Sequence, residues 1–226
     1  MSKNRQRVVW TKGMFLTPQH FQTQDQYFED ASQFRFGASL YANRGVSSLS
    51  IDTESLANGL FRLLEGRGVM PDGLTFQMPD SDRLPPSREV ADFFPPGKKD
   101  LDVYLAIPEQ RIEAPNVKIP VSAEDGAGLA ETRYTAETRG VADQNAGLER
   151  KDVQIARRNF RLLFDTEFRD GFSMLRIAQV TRNAAGQCVV KKEFIAPCLE
   201  IAHSEYLMGL IRRQIEILAT KSATLS

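Results

Sequence analysis

Two histidines, two cysteines and a run of arginines are the side chains of this 226-residue sequence whose types suit chemistry. A general base must lie within hydrogen-bond reach of the group it serves. Asp25 follows His20 by five residues, which on a helix places the carboxylate well around the barrel from the imidazole. That spacing supports a histidine that packs, or bonds to backbone, at a helix start. His203 stands alone before the last apolar segment. Nine residues separate Cys188 from Cys198, unlike the short loops of zinc knuckles. No catalytic residue, metal or cofactor is expected at any of these positions.

Two further clusters invite a chemical reading. Gly66-Arg67-Gly68 with Asp72-Gly73 looks like a glycine loop, but it lacks the G-x-x-x-x-G-K-S/T order and the following helix that cradle phosphate. Turn chemistry is the expectation for those glycines. Arg150, Lys151, Arg157, Arg158 and Arg161 form the strongest basic patch, and Phe160 and Phe164 are interleaved with it, as in single-strand nucleic-acid binders. Asp152, Asp165, Glu167 and Asp170 neutralise the neighbourhood, and alternating charge on a strand is ordinarily a solvated face. Over the whole chain Lys+Arg and Asp+Glu both number 29, so no net field draws in nucleic acid or an anionic membrane. No nucleic-acid partner is expected, and a protein partner would be recognised by shape.

The residues after Met1–Arg7 do not form an apolar leader, and no apolar run nears the roughly 18 residues of a membrane span. The expectation is a soluble, cytoplasmic protein with no direct membrane insertion and two free thiols. A Cys188–Cys198 disulfide would require the two to lie on neighbouring strands.

The elements that must position these residues follow from periodicity. From Pro18 to about Ala42, Phe21, Phe28, Phe34 and Tyr41, with Tyr27, Ala31 and Ala38 beside them, recur at helical spacing. Strands are expected near Val46–Ile51, Leu60–Arg67, Leu74–Met78, Asp102–Ile107, Glu131–Gly140, Gln154–Phe164, Ser173–Thr181 and Gln187–Ile195. Pro71-Asp72-Gly73 and Asn183-Ala184-Ala185-Gly186 are placed to make tight turns between them. Many short strands with turns at this spacing favour an antiparallel β-sandwich. Pro79–Lys99 holds five of the eleven prolines and reads as a long loop, as do Ala123–Ala130 and Asp143–Glu149. After Ser204 a second helix is expected, with Leu207, Ile211, Ile215 and Leu218 as one stripe, widened by Tyr206, Leu210 and Ile217. Its broad band calls for neighbours on more than one side. With no later element to cover that band, the natural protein is expected to continue beyond Ser226.

Trp10, Met14, Phe15 and Leu16 stand directly before a helix-start signal, Thr17 as N-cap and Pro18 in the first turn. An arm with these residues either lies covered by its own domain or serves as an interface anchor. Both hold if the arm packs within an oligomer.

The pattern W-x-K-G-M-F-L-x-P-Q-H-F-Q-x-Q-D-x-Y from Trp10 to Tyr27 resembles the N-terminal signature of the TssK family, the baseplate subunits of bacterial type VI secretion systems. Phe194-Ile195-Ala196-Pro197-Cys198-Leu199-Glu200-Ile201, followed by Ser204 and Leu207, resembles that family's passage from its first domain into a helical neck. Ala196 departs from the second proline expected beside Pro197. The resemblance implies a mainly β fold with flanking helices: a sandwich like the shoulder of phage receptor-binding proteins over residues 1–200, and the start of a helical-bundle neck over 201–226. It also implies a non-enzymatic homotrimer whose first domain docks on the TssF–TssG wedge. A C-terminal head beyond these residues would reach the TssJ–TssL–TssM membrane complex. On this reading Trp10, Met14, Phe15 and Leu16 are candidates for partner binding or arm packing, and Leu207, Ile211, Ile215 and Leu218 for neck contacts. Two other classes fit a sandwich with long loops. A carbohydrate-binding module needs exposed aromatics on one face or rim, and a hydrolase needs a convergent set of titratable groups.

Overall fold

In the computed structural model, which describes residues 6–95, 97–120, 132–145, 147 and 149–225, Thr17 and Pro18 open the first helix as their chemistry dictates. Helix α1 (Pro18–Ser39) follows an extended Thr17 and ends at Leu40, three residues short of Asn43. No residue of α1 is buried. Together with the arm before it, α1 forms one compact unit ending at Asn43, and the chain from Arg44 onward forms a second.

Among the described residues, the second unit holds twelve strands and two α-helices. Strand β1 (Gly45–Ile51) leads to the short helix α2 (Thr53–Ala57), capped by the Asp52 carboxylate, which accepts from the Ser55 N–H at 3.0 Å. Then come β2 (Leu60–Phe61), β3 (Leu63–Val69), β4 (Thr75–Met78) and β5 (Arg88–Glu89). Next are β6 (Asp100–Pro108), β7 (Val117–Lys118), β8 (Tyr134–Ala142) and β9 (Arg150–Arg158). The last strands are β10 (Arg161–Phe164), β11 (Phe172–Arg182) and β12 (Cys188–Val190), before helix α3 (Glu205–Leu225). Hydrogen bonding orders them as β1-β3-β4, β10-β6-β11-β12, β2-β5 and β7-β8-β9. All pairings are antiparallel except the two-rung contact of β7 with β8.

One core lies between the first two of these sheets, which makes the fold the expected sandwich. Leu63, Phe76 and Met78 from one sheet share a buried cluster with Leu101, Val103, Leu105, Phe164, Leu175 and Val180 from the other. Alternation sets the inward faces, and a register shift between Arg176 and Ala178 moves β11 from burying Ser173, Leu175 and Ile177 to burying Ala178 and Val180. A bulge of this kind is how one extra residue re-aims the rest of a strand. The expected turns are present. Met70 and Leu74 close around Gly73, and Asn183 and Gln187 around Gly186, with both glycines at positive φ.

Several expectations need correction. Gln154–Phe164 is not one strand but two, β9 and β10, broken at Asn159 and Phe160. The Asn159 side chain bonds Thr132 and Thr135, and Phe160 turns inward to lie 5.8 Å from the Phe76 ring. Leu60–Arg67 is interrupted at Arg62, whose carbonyl accepts from the Asp52 N–H at 3.0 Å. Gln187–Ile195 pairs only over Cys188–Val190. The Pro79–Lys99 segment is not all loop: it contributes β5 and a helical turn at Ala91–Phe93, and Val90 is wholly buried. Gly66 and Gly68 lie within β3, not in a turn. A Cβ on Gly68 would stand 2.2 Å from the Gly45 carbonyl oxygen, so close backbone approach demands glycine there. The Ala123–Ala130 loop and Glu131 lie outside the described residues, as do Ala146 and Leu148 of the Asp143–Glu149 loop. Cys188 is buried and Cys198 half-buried, both as free thiols.

Candidate partner-binding surfaces

The arm of the first unit doubles back along α1. Trp10 donates its indole N–H to Gln24 Oε1 at 2.8 Å, and its ring centroid lies 6.2 Å from that of His20 and 6.1 Å from that of Phe21. The Arg7 guanidinium stands 6.0 Å over the Tyr27 ring. Thr11 to Met14 form the turn that joins arm to helix: the Met14 N–H donates to the Thr11 carbonyl at 3.3 Å, and Gly13 takes φ +83°. Met14 is half-buried, its Sδ accepting from the Thr11 N–H at 3.5 Å.

At the helix start His20 plays the part that a glutamate or glutamine plays in a capping box. The Thr17 N–H donates to His20 Nδ1 at 3.2 Å, and Thr17 Oγ1 lies 2.8 Å from the same nitrogen. The histidine is thus a structural cap. Of the four arm candidates, Trp10 is 48% exposed, Leu16 52% and Phe15 85%.

Helix α3 carries the second set. Leu207 is half-buried, whereas Ile211, Ile215 and Leu218 are exposed, as are Tyr206, Leu210 and Ile217. Where α3 joins the sandwich an open groove of about 560 Å³ is lined by Leu49, Ile51, Leu56, Ile177, Phe194 and Tyr206 among others. The segment entering the helix is anchored to β1: the Val46 N–H donates to the Pro197 carbonyl at 2.8 Å, and the Leu199 N–H to that of Val46 at 2.9 Å.

Three members of the basic cluster are engaged within the fold. Arg158 donates to both oxygens of the buried Asp82, at 3.0 and 3.1 Å, Arg157 lies 3.9 Å from Glu137, and the Arg161 guanidinium stands over the Phe172 ring. Phe160 and Phe164 are core residues. Among the described residues, Asp52, Asp100 and Arg133 have shifted proton affinity. Asp52 is held below the usual carboxylate range by the Ser55 N–H and hydroxyl, and Asp100 by its hydrogen bond to Lys191. Burial alone would weaken the proton affinity of Arg133, but the Asp72 carboxylate outweighs it, together with the Tyr134 oxygen, and the net shift is upward. Sequence reasoning read Asp72 only as a turn residue and did not single out Arg133 or Gln24, because nothing periodic marks a lone polar residue whose partner is far along the chain. Among the described residues, no group of three or more His, Cys, Asp or Glu side chains could hold a metal ion, and no helix is long and apolar enough to cross a membrane.

The chain from Arg44 onward is thus a β-sandwich module followed by a helix that leaves several large apolar side chains exposed. The chain belongs to the TssK family: the bacterial type VI secretion family described by the names EvfL, ImpJ and VasE matches residues 20–226. It is 32% identical over 222 residues to the type VI secretion system baseplate component TssK1 of Pseudomonas aeruginosa, an alignment taking in 94% of this chain and 48% of that protein. The chain thus spans about half the length of the curated relative it matches. A crystal structure of TssK superposes with a TM-score of 0.82 at 27% identity, over 97% of this chain and 48% of that one. A subunit in the cryo-electron microscopy structure of the TssK-TssF-TssG baseplate subcomplex superposes with a TM-score of 0.85 at 23% identity, over 99% and 72% of the two chains, a likeness of fold.

Proposed function

We propose that this chain is a non-catalytic, cytoplasmic baseplate component that docks on a TssF–TssG wedge. Family membership carries the reading, since the curated relative is itself a baseplate component and a structure of similar fold is a TssK-TssF-TssG subcomplex. The exposed arm residues support it, because Phe15 and Leu16 offer the large apolar side chains that anchor interfaces. Residues 1–200 form the wedge-docking domain on this reading, and 201–226 begin the neck. The Leu207, Ile211, Ile215 and Leu218 stripe joins three copies there into a homotrimer. Contact with TssJ–TssL–TssM falls to a C-terminal domain beyond these residues.

The test is co-purification of this chain with TssF and TssG expressed together, with the mass of the complex measured by light scattering. A stable complex is the expected result. Recovery of TssF–TssG free of this chain, from cells that express all three, would remove the docking reading.

A further inference from the structure

The β8–β9 hairpin is held at its root and bare beyond it. Arg158 is paired with the buried Asp82, and the Asn159 side chain bonds Thr132 and Thr135. From there nine cross-strand pairs run without a bulge to Ala142 opposite Arg150, and no residue of β9 is buried. Among the described residues β8 is the only strand that pairs with β9, so the other edge of β9 is open.

The bonds that flank the hairpin assign the groups along that edge. The Asp143 N–H donates to the Glu149 carbonyl at 2.9 Å, and the Asn159 N–H to that of Arg133 at 3.0 Å. Antiparallel pairs alternate between bonded and non-bonded. Lys151, Val153, Ile155 and Arg157 therefore bond across to β8, while the N–H and C=O groups of Asp152, Gln154 and Ala156 point away from it. Among the described residues no backbone group bonds to them.

Charge is the ordinary protection of such an edge. Here it is confined to the ends, and Val153-Gln154-Ile155-Ala156 between them is uncharged. On one face the order is Lys151, Val153, Ile155 and Arg157, basic at both ends and apolar in the middle, with Val153 44% exposed. Arg157 reaches Glu137 only at 3.9 Å, and its Nε makes no hydrogen bond. A second copy laid antiparallel along the full length of β9 would set Arg150 against Arg158 and Lys151 against Arg157, and like charges directly opposite destabilise a pair. A strand with acidic ends meets the opposite case.

We infer that the open edge of β9 receives, as an added strand, an extended segment of a partner protein in which acidic residues flank a short apolar centre. The backbone of that segment takes up the outward groups of Asp152, Gln154 and Ala156. Its carboxylates stand beside Lys151 and Arg157, and its apolar side chains cover Val153 and Ile155. The receiving edge is preformed, so little ordering is lost on its side. None of this rests on the function proposed above, and a chain that failed to bind TssF–TssG would leave it standing.

The probe is a seven-residue peptide with glutamate at both ends, valine at its third and fifth positions and threonine elsewhere, titrated into the isotope-labelled full chain. The amide signals of Asp152, Gln154 and Ala156 are expected to shift, and their hydrogen exchange to slow, as they gain partners. A peptide with lysine in place of both glutamates should bind at least about tenfold more weakly. Gln154→Pro removes an outward N–H and no cross-strand bond, so it should leave the melting temperature nearly unchanged and abolish binding. Lys151→Glu should erase most of the preference between the peptides. No binding of the glutamate peptide, or binding undiminished by Gln154→Pro, overturns the edge as a docking site. Equal binding of the two peptides by the unaltered chain overturns the acidic character of the occupant. A dimer that Gln154→Pro converts to monomer would place a second copy on the edge and overturn the foreign partner.

Discussion

Arg133 and Asp72 meet at 2.7 Å with the arginine side chain only 5% exposed, at the root of the β8–β9 hairpin. The same Nη1 donates to the Pro108 carbonyl at 2.9 Å, so one guanidinium joins the start of β8, the end of β6 and the β3–β4 turn. Removing one partner of a buried pair leaves the other uncompensated, at a cost of roughly 3–5 kcal/mol. Arg133→Met should fall toward the low end of that range, because Asp72 is itself 29% exposed and can regain water. Urea unfolding measures this, and a change below about 0.5 kcal/mol would show that the hairpin root does not depend on the pair.

The Asp100–Lys191 pair makes stability depend on pH. Hydrogen bonding to Lys191 depresses the folded-state pKa of Asp100. The contribution is therefore complete above the unfolded value of about 3.9, and is lost as pH falls through the lower folded value. Both side chains are about one-third exposed, at 35% for Lys191 and 31% for Asp100, so solvent screening keeps the effect small. Lys191→Met should cost no more than about 1 kcal/mol at neutral pH. The gap from the unaltered protein should narrow as pH falls below the carboxylate range. Urea midpoints at pH 7 and pH 3 compare the two, and a gap that widens toward acid contradicts the assignment.

Two glycine substitutions should have opposite signs. Gly68→Ala forces a Cβ to 2.2 Å from the Gly45 carbonyl oxygen and 2.9 Å from Val46 Cα, both backbone atoms that cannot rotate away. The loss should be at least the roughly 1–3 kcal/mol of an overpacked core. Gly209, inside α3, has nothing within 4 Å of the added atom. Gly209→Ala should stabilise the helix by roughly 0.5–1 kcal/mol through backbone entropy alone. Thermal melts followed by circular dichroism read both signs.

The α3 stripe should matter for assembly and little for the sandwich. Ile215 and Leu218 are 60% and 65% exposed, and a charge there meets water in the single chain but an apolar neighbour in a bundle. Ile215→Asp with Leu218→Asp should lower the assembled mass and leave the sandwich transition in place. Hydrogen exchange beyond Leu210 should be fast in the monomer and slow in the oligomer. Slow exchange in a demonstrated monomer would mean the stripe is covered within one chain.

What was legible in the sequence was local chemistry. Thr17 and Pro18 start a helix, and Asp72-Gly73 and Asn183–Gly186 turn the chain, because each signal is satisfied within a few residues. The alternation that marks β6 and β11 as half-buried strands is local too, and the run of short strands was enough for a sandwich. The signature from Trp10 to Tyr27 and the stretch from Phe194 to Ile201 pointed to the family by their resemblance to it.

Tertiary structure decided the rest wherever the reason for a residue lies far along the chain. Phe160 reads as part of one continuous strand with a single wet face until its packing against Phe76 in the core separates β9 from β10. Gly66-Arg67-Gly68 reads as turn chemistry until the Gly45 carbonyl occupies the space a side chain would need. Trp10 finds its acceptor fourteen residues on, at Gln24, and Arg133 finds its counter-charge at Asp72. Periodicity reports which side of an element is apolar, because that follows from 3.6 or 2 residues per repeat. It carries no record of which backbone or side chain stands opposite, since that is set only when separate segments compete for the same space.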